Sequence, residues 1–358
     1  MTYTRVNEID PLRFLAALSV VFYHYAFRGY AADGLSIMPY PLFAPIAKYG
    51  YLGVELFFMI SGFVVLMTAA ASPRLRDFSI SRFIRLYPAY WASCTITFVL
   101  IVAFGAPRHV ATFDQYLINM TMLNGLSKYR PVDGAYWSLL VEIRFYALVA
   151  VVLAIGKIHQ AQRFLIIWLL ATMALETLPM RWVAPTALHY LRFLLIVDYA
   201  PYFVAGATCF LIWSKGASLG RLAVVAACWA FALFQSTTSL RKFEIYFKTD
   251  ANLNIVYSTI TAFFLVMLLI SLKQTGALGR YRWPLAGALS YPLYLLHQNI
   301  GYIIFNSMYP AVNPHVLLFS TIILVLVAAY TVHVLVERKL ALAMKSVLMA
   351  TLNNRAIP

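Results

Sequence analysis

The sequence predicts an all-α polytopic membrane protein with about ten transmembrane helices and both termini in the cytoplasm, and three observations carry that reading. Of the 358 residues, 62% are hydrophobic and 11% charged, with a mean hydropathy of +0.77. A soluble domain has roughly 45–50% apolar and about 25% charged residues. The apolar residues come in runs of about 20, the length of helix that crosses a ~30 Å hydrocarbon core. The chain is also strongly basic, 28 Lys+Arg against 13 Asp+Glu for a net +15. In so apolar a chain this fits cytoplasmic loops rather than a nucleic-acid surface. A soluble globular protein, a disordered chain and a disulfide scaffold are excluded, since Cys94, Cys209 and Cys228 are odd in number and each lies in an apolar run.

The runs fall at 12–28, 51–71, 86–105, 136–155, 164–180, 193–213, 222–238, 251–272, 287–307 and 315–336. Each must be helical, because lipid offers no partner to backbone N–H and C=O groups. The first contains His24, is followed by Arg28 and has no small-residue cleavage site, so it reads as a retained helix rather than a signal peptide. The third follows the basic stretch PRLRDFSISRFIRLYPAYW, and the fourth opens GAYWSLLVEIRFYAL. The remaining runs are closed by charge, Pro or Gly. The longest loop, 106–135, can carry a short amphipathic segment, with Phe113, Tyr116, Leu117 and Met120 spaced to share a helical face. With the N-terminus inside, 17 basic residues fall on the cytoplasmic side and 10 outside, Arg144 lying within a helix. No repeat or hydrophilic second domain interrupts the pattern, so residues 1–340 read as one transmembrane domain and 341–358 as a short cytoplasmic tail.

Ionisable side chains inside a bilayer cost ~2.5–3.5 kcal/mol at mid-helix, so each needs a reason. Arg13 and His24 are eleven residues apart, three turns plus roughly 20°, and share one face about 16 Å apart. Arg13 lies at the cytoplasmic end and His24 inside the hydrocarbon. An imidazole there is a candidate proton acceptor, and equally a packing histidine bonded to a neighbour. Arg82 and Arg85 are i, i+3 at the start of the third helix and emerge at the same face as Arg13. Three guanidinium groups at one depth form an anion site for a phosphorylated ligand, or else an ordinary positive-inside loop. Glu142, six residues past Tyr136, reaches a depth within one turn of His24, where a carboxylate can orient an imidazole or an incoming hydroxyl, or pair with an Arg for stability. Arg144 is about 200° round from Glu142, so each needs its own partner. Ser61 and Gly62 lie near mid-membrane, where small size permits close helix contact or leaves room for a ligand. His297, in LSYPLYLLHQN, competes with His24 for any role. Glu55, Asp198, Glu244, His189 and His333 read as interfacial or solvated. No zinc spacing, Walker loop, nucleophile elbow or dinucleotide fingerprint is present.

In order along the chain, IDPLRFLAALSVVFYH, GYLGVELFFMISGF, SRFIRLYPAYW, AYWSLLVEIRFY and LSYPLYLLHQ resemble the membrane acyltransferase 3 family, O-acyltransferases that decorate bacterial surface glycans. The resemblance covers nearly the whole chain. It implies that Arg13, Arg82 and Arg85 receive acyl-CoA at the cytoplasmic face, that His24 is the catalytic histidine and that Glu142 acts near the acceptor side. It further implies a multi-pass protein of the bacterial inner membrane that moves an acyl group, most simply acetyl, from acyl-CoA to a hydroxyl of a glycan or glycolipid. No permanently bound cofactor or metal is expected. His24 would act as base or acyl carrier, with Tyr136, Trp137, Ser138 and the Ser61–Gly62 bend as candidates for holding substrate or stabilising the oxyanion. The rival class is a transporter or flippase using buried His, Glu and Arg as a relay, whose mark, two similar halves, is not seen.

Overall fold

A computed structural model describes residues 5–178, 183–340 and 343–344. The chain is all-helical, with 78% helix and no strand among the described residues. The longer helices are α1 (Ile9–Tyr23), α2 (Gly53–Ala71), α3 (Leu75–Phe104), α4 (Trp137–Ala154), α5 (Ala161–Thr177), α6 (Pro185–Leu194), α7 (Ala200–Lys215), α8 (Leu219–Phe247), α9 (Leu253–Ser271), α10 (Pro284–Met308) and α11 (Pro314–Val332). Among the described residues, seven segments are long and apolar enough to cross a membrane: Ala44–Ala71, Leu75–Phe104, Gly134–Ala154, Ile158–Thr177, Leu219–Phe247, Leu253–Ser271 and Pro314–Leu340. The chain is a multi-pass membrane protein. All ten apolar runs lie on helices, with two main differences. α3 begins at Leu75 rather than 86 because the charged stretch around Arg76 and Arg82 is itself helical, which puts Arg82 about two turns and Arg85 nearly three turns inside. The run 193–213 is broken, α6 ending at Leu194 and α7 beginning at Ala200, with Ile196 between them at φ +54°. Residues 179–180 of the fifth run and most of the expected tail 341–358 lie outside the described residues.

The helices group into two compact units of interleaved segments. The first holds residues 1–9, 52–78 and 141–283. Its centre is α7, buried continuously from Ala200 to Ile212. α2 crosses it backbone to backbone: a Cβ on Gly206 would run into the Met59 carbonyl, and one on Gly62 into the Phe203 carbonyl. Small residues allow this approach, which replaces the hydrophobic drive that lipid removes.

The second unit holds residues 10–51, 79–140 and 284–358. Its centre is α10, buried continuously from Ser290 to Ile303. α1 continues into a π turn over His24–Arg28, in which His24, Tyr25, Ala26 and Phe27 are buried. Such turns widen a helix locally and reorient its side chains. Here the turn interlocks with α10, for a Cβ on Gly301 would strike the Tyr25 ring and one on Gly29 the Tyr302 ring.

Candidate functional site

The π turn brings His24 against His297 of α10, 273 positions away: His297 Nε2 is 3.0 Å from His24 Nδ1. Both imidazoles are buried, His24 4% and His297 0% exposed. Backbone carbonyls assign the hydrogens. His297 Nδ1 lies 2.8 Å from the Tyr294 carbonyl and His24 Nδ1 2.9 Å from the Val20 carbonyl. A carbonyl only accepts, so both Nδ1 atoms carry hydrogen and, in the neutral rings, both Nε2 atoms are lone pairs. His24 Nδ1–H is then shared between Val20 and His297 Nε2. His24 Nε2 is left as a buried lone pair with no hydrogen-bond partner among the described residues. Tyr25 closes the group by donating to the His297 carbonyl at 2.6 Å. The two histidines that the sequence offers separately are thus hydrogen-bonded neighbours.

α10 also fixes the loop that leads into α4. Asp133 is fully buried; its Oδ1 accepts from the Ala135 N–H and its Oδ2 from the Asn299 N–H, each at 2.9 Å. Asn299 Nδ2 donates to the Val132 carbonyl at 2.8 Å. Burial raises the Asp133 carboxyl to about 6, with the Asn299 and Ala135 N–H groups and the Arg28 charge pulling the other way. Tyr136 donates its hydroxyl to the Leu295 carbonyl at 3.2 Å, and Ser138 Oγ meets the Tyr294 hydroxyl at 2.7 Å while that hydroxyl bonds the Ala135 carbonyl. Both hydroxyls, the candidates for holding substrate or stabilising an oxyanion, thus tie the loop to α10 in this arrangement. Trp137 is 38% exposed.

The arginines of the second unit differ in their surroundings. Arg13 and Arg82 are half-buried on α1 and α3. Arg85 lies over the Tyr291 ring at 5.5 Å and pairs with Glu337 at 3.3 Å, and Glu337 also bonds His333 Nδ1 at 2.6 Å. Arg85 thus has an internal carboxylate as well as any ligand, and His333 is paired rather than solvated.

In the first unit, Glu142 Oε1 accepts from Ser61 Oγ at 3.0 Å and from the Tyr146 hydroxyl at 2.6 Å, so its neighbours are hydroxyls rather than an arginine. At Gly62 the space that its missing side chain leaves is filled by the α7 backbone, the close helix contact that its small size permits. Arg144 has its own partners, the Phe193 carbonyl at 2.6 Å and the Phe193 ring at 4.0 Å. Glu55, expected at the interface, has a buried Oε2 with no hydrogen-bond partner among the described residues. Sequence reasoning passed over Asp133, Tyr146 and Tyr294. Only Tyr146, one turn after Glu142, carried a positional signal.

A multi-pass helical protein with a polar, histidine-centred interior is the class that this architecture defines. The acyltransferase 3 family model, described as an acyltransferase domain, matches residues 6–334, and the chain belongs to that family. Nodulation protein 10 of Rhizobium leguminosarum bv. viciae is 26% identical over 197 residues, 44% of this chain and 52% of that protein. The peptidoglycan O-acetyltransferase OatA of Listeria monocytogenes is 27% identical over 160 residues, 39% of this chain and 23% of that protein. The O-acetyl transferase of Shigella phage Sf6 is 24% identical over 176 residues, 46% of this chain and 50% of that protein. The chain spans about half the length of two of these relatives and less of the third. No solved structure matches.

Proposed function

We propose that this protein is a membrane O-acyltransferase that carries an acyl group, acetyl in the simplest case, from cytoplasmic acyl-CoA to a hydroxyl of a surface or exported glycan in a bacterial inner membrane. The observation that carries the reading is the His24 Nε2 lone pair, held in a fixed tautomer by two carbonyls and a second imidazole. A buried imidazole of defined tautomer suits two chemistries. It takes the proton of an acceptor hydroxyl as that oxygen attacks the thioester carbonyl, CoA thiolate leaving; or it attacks the thioester itself and passes the acyl group on. His297 and the Val20 carbonyl stabilise the imidazolium formed in either case by accepting from Nδ1–H. The names of the relatives, two of them O-acetyltransferases, support the acyl group and the hydroxyl acceptor.

On this reading Arg13, Arg82 and Arg85 hold the CoA phosphates, and the pantetheine arm spans the ~16 Å of helix between Arg13 and His24. Tyr136 and Ser138 act as positioning residues for the loop, while Trp137, Glu142 and Ser61 serve the acceptor. Residues 1–340 form the transmembrane domain, its ten helices leaving both termini, and the tail 341–358, in the cytoplasm. The test is purified protein in lipid nanodiscs with radiolabelled acetyl-CoA and cell-surface glycan. Glycan-dependent CoA release is expected from wild type and none from His24→Ala, with the variant folded. Full activity in His24→Ala, or uptake of substrate into vesicles without CoA release, overturns the assignment.

A further inference from the structure

The turn between α6 and α7 is built more firmly than a connecting turn needs to be. α6 ends with the Val197 N–H bonded to the Arg192 carbonyl at 3.1 Å and the Ile196 N–H to the Phe193 carbonyl at 3.2 Å. That is the pattern of a helix end closed by a left-handed residue, normally glycine. Here the left-handed position is a buried, β-branched Ile196 at φ +54°, a conformation that persists only when its surroundings enforce it. The enforcement is visible. Three side chains from three other helices each donate to a carbonyl of this segment: Arg144 of α4 to Phe193 at 2.6 Å, Trp168 of α5 to Leu195 at 2.7 Å, and Gln235 of α8 to Val197 at 3.0 Å.

What the clamped turn presents is an open groove of about 230 Å³, lined by Arg144, His189, Arg192, Asp198 and Tyr199 over Ile196, smaller than the sites that enclose drug-sized molecules and suited to a single small ring or residue. Among the described residues, the charges in and beside it balance. Arg192 bonds Glu176 at 2.5 Å and lies 3.6 Å from Asp198, so the two arginines are matched by two carboxylates. Asp198 is 74% exposed and can accept further hydrogen bonds, and the half-buried Tyr199, its ring held against Phe58 at 4.8 Å, lines the groove beside it. Alternating donors and acceptors with a ring and no net charge suit a hydroxyl-rich neutral ligand better than an anion.

We propose that this groove is a binding subsite for a neutral sugar residue of the acceptor glycan, with Asp198 accepting from sugar hydroxyls and Tyr199 packing on a ring face. The inference rests on the reading that the acceptor is a glycan. Wild-type protein in nanodiscs, without acyl-CoA, is titrated with neutral hexasaccharides of gluco, manno and galacto configuration and with oligogalacturonate, followed by saturation-transfer NMR. Binding of a neutral hexasaccharide that survives 0.5 M salt and weakens at least tenfold in Asp198→Ala and Tyr199→Ala is expected. Preference for oligogalacturonate, abolished by salt, overturns the neutral-sugar assignment, as does failure of every neutral probe to bind. In the transfer assay the acceptor KM rises at least tenfold in Asp198→Ala. Transfer with an unchanged acceptor KM removes the groove and leaves the activity standing, whereas sugar binding without any transfer keeps the groove and removes the activity.

Discussion

α7 and α10 are both buried along most of their length, one in each unit, and they bring different things to the interior. α7, APYFVAGATCFLIWSK, presents small and apolar groups: Gly206 lets it lie on the α2 backbone, and Phe203 packs on Phe58 and Phe145 with ring centres 4.9 and 4.3 Å apart. α10, with Tyr291, Tyr294, His297 and Asn299 in one stretch, presents polar groups, and each of these side chains has a hydrogen-bond partner: Tyr291 on the Leu86 carbonyl, Tyr294 on Ala135, His297 on His24, Asn299 on Val132. Dispersion and close approach hold the first; a hydrogen-bonded network fixes the second in one arrangement. Burial alone therefore does not separate a packing helix from a chemical one. The separation lies in the kind of polar group left over: on α7 it is the Thr208 hydroxyl, whereas beside α10 it is the His24 Nε2, a nitrogen that can take up a proton.

The largest effect should come from breaking the close crossing of α7. Gly206→Leu places its side chain against the Met59 carbonyl, where backbone rather than a flexible side chain must move. The cost should exceed about 3 kcal/mol, the upper end for ordinary overpacking. Loss of monodisperse protein on size exclusion, or a large fall in the midpoint of thermal unfolding, would show it. A Gly206→Leu protein as stable as wild type would mean that the two helices are not in backbone contact.

Much of this was legible in the sequence, because a bilayer imposes length and apolarity on anything that crosses it. The all-helical, multi-pass architecture and the placing of the apolar runs on helices could be read from composition and spacing. Contacts between distant helices could not. His24 and His297 read as rivals because nothing in either segment says that a π turn will aim one at the other. Asp133, next to a glycine and two residues after a proline in a loop, looks like a solvated acid until Asn299 is seen to cover it. Ile196 hides most completely, since isoleucine has no preference for the left-handed region and glycine is the residue that would have signalled a helix end there.

A smaller effect, and one with a pH signature, tests whether α10 holds the loop. Burial raises the Asp133 carboxyl to about 6 from an ordinary 3.8. Between roughly pH 4 and 6 the folded chain then binds more protons than the unfolded one, so this group's contribution makes stability fall as pH rises through that window and level off above it. The full swing is on the order of 3 kcal/mol. Asn at this position cannot ionise and has no such slope. Unfolding of wild type and Asp133→Asn in detergent should show wild type ahead by most near pH 4, with the gap narrowing by about 2–3 kcal/mol toward pH 7. A pH-independent gap would mean that the Asp133 carboxyl titrates normally and that Asn299 does not cover it.

The finest test bears on the element that makes α10 chemical. If His297 orients His24 by accepting from its Nδ1–H, removing it leaves the Val20 carbonyl as a second acceptor, so the tautomer is weakened rather than lost. His297→Ala should lower kcat by about 10- to 100-fold, the range typical of groups that orient a reacting imidazole, equivalent to ~1.4–2.7 kcal/mol. The KM for acyl-CoA should hardly change. His297→Gln, whose amide oxygen can still accept from Nδ1–H, should recover most of that loss, which a packing role would not predict, because glutamine fills the imidazole space no better than other residues of its size. Activity as low as that of His24→Ala in both variants would make His297 a reacting group in its own right. Activity equal to wild type in His297→Ala would leave the Val20 carbonyl as the sole orienting acceptor and reduce the contact between the two rings to packing.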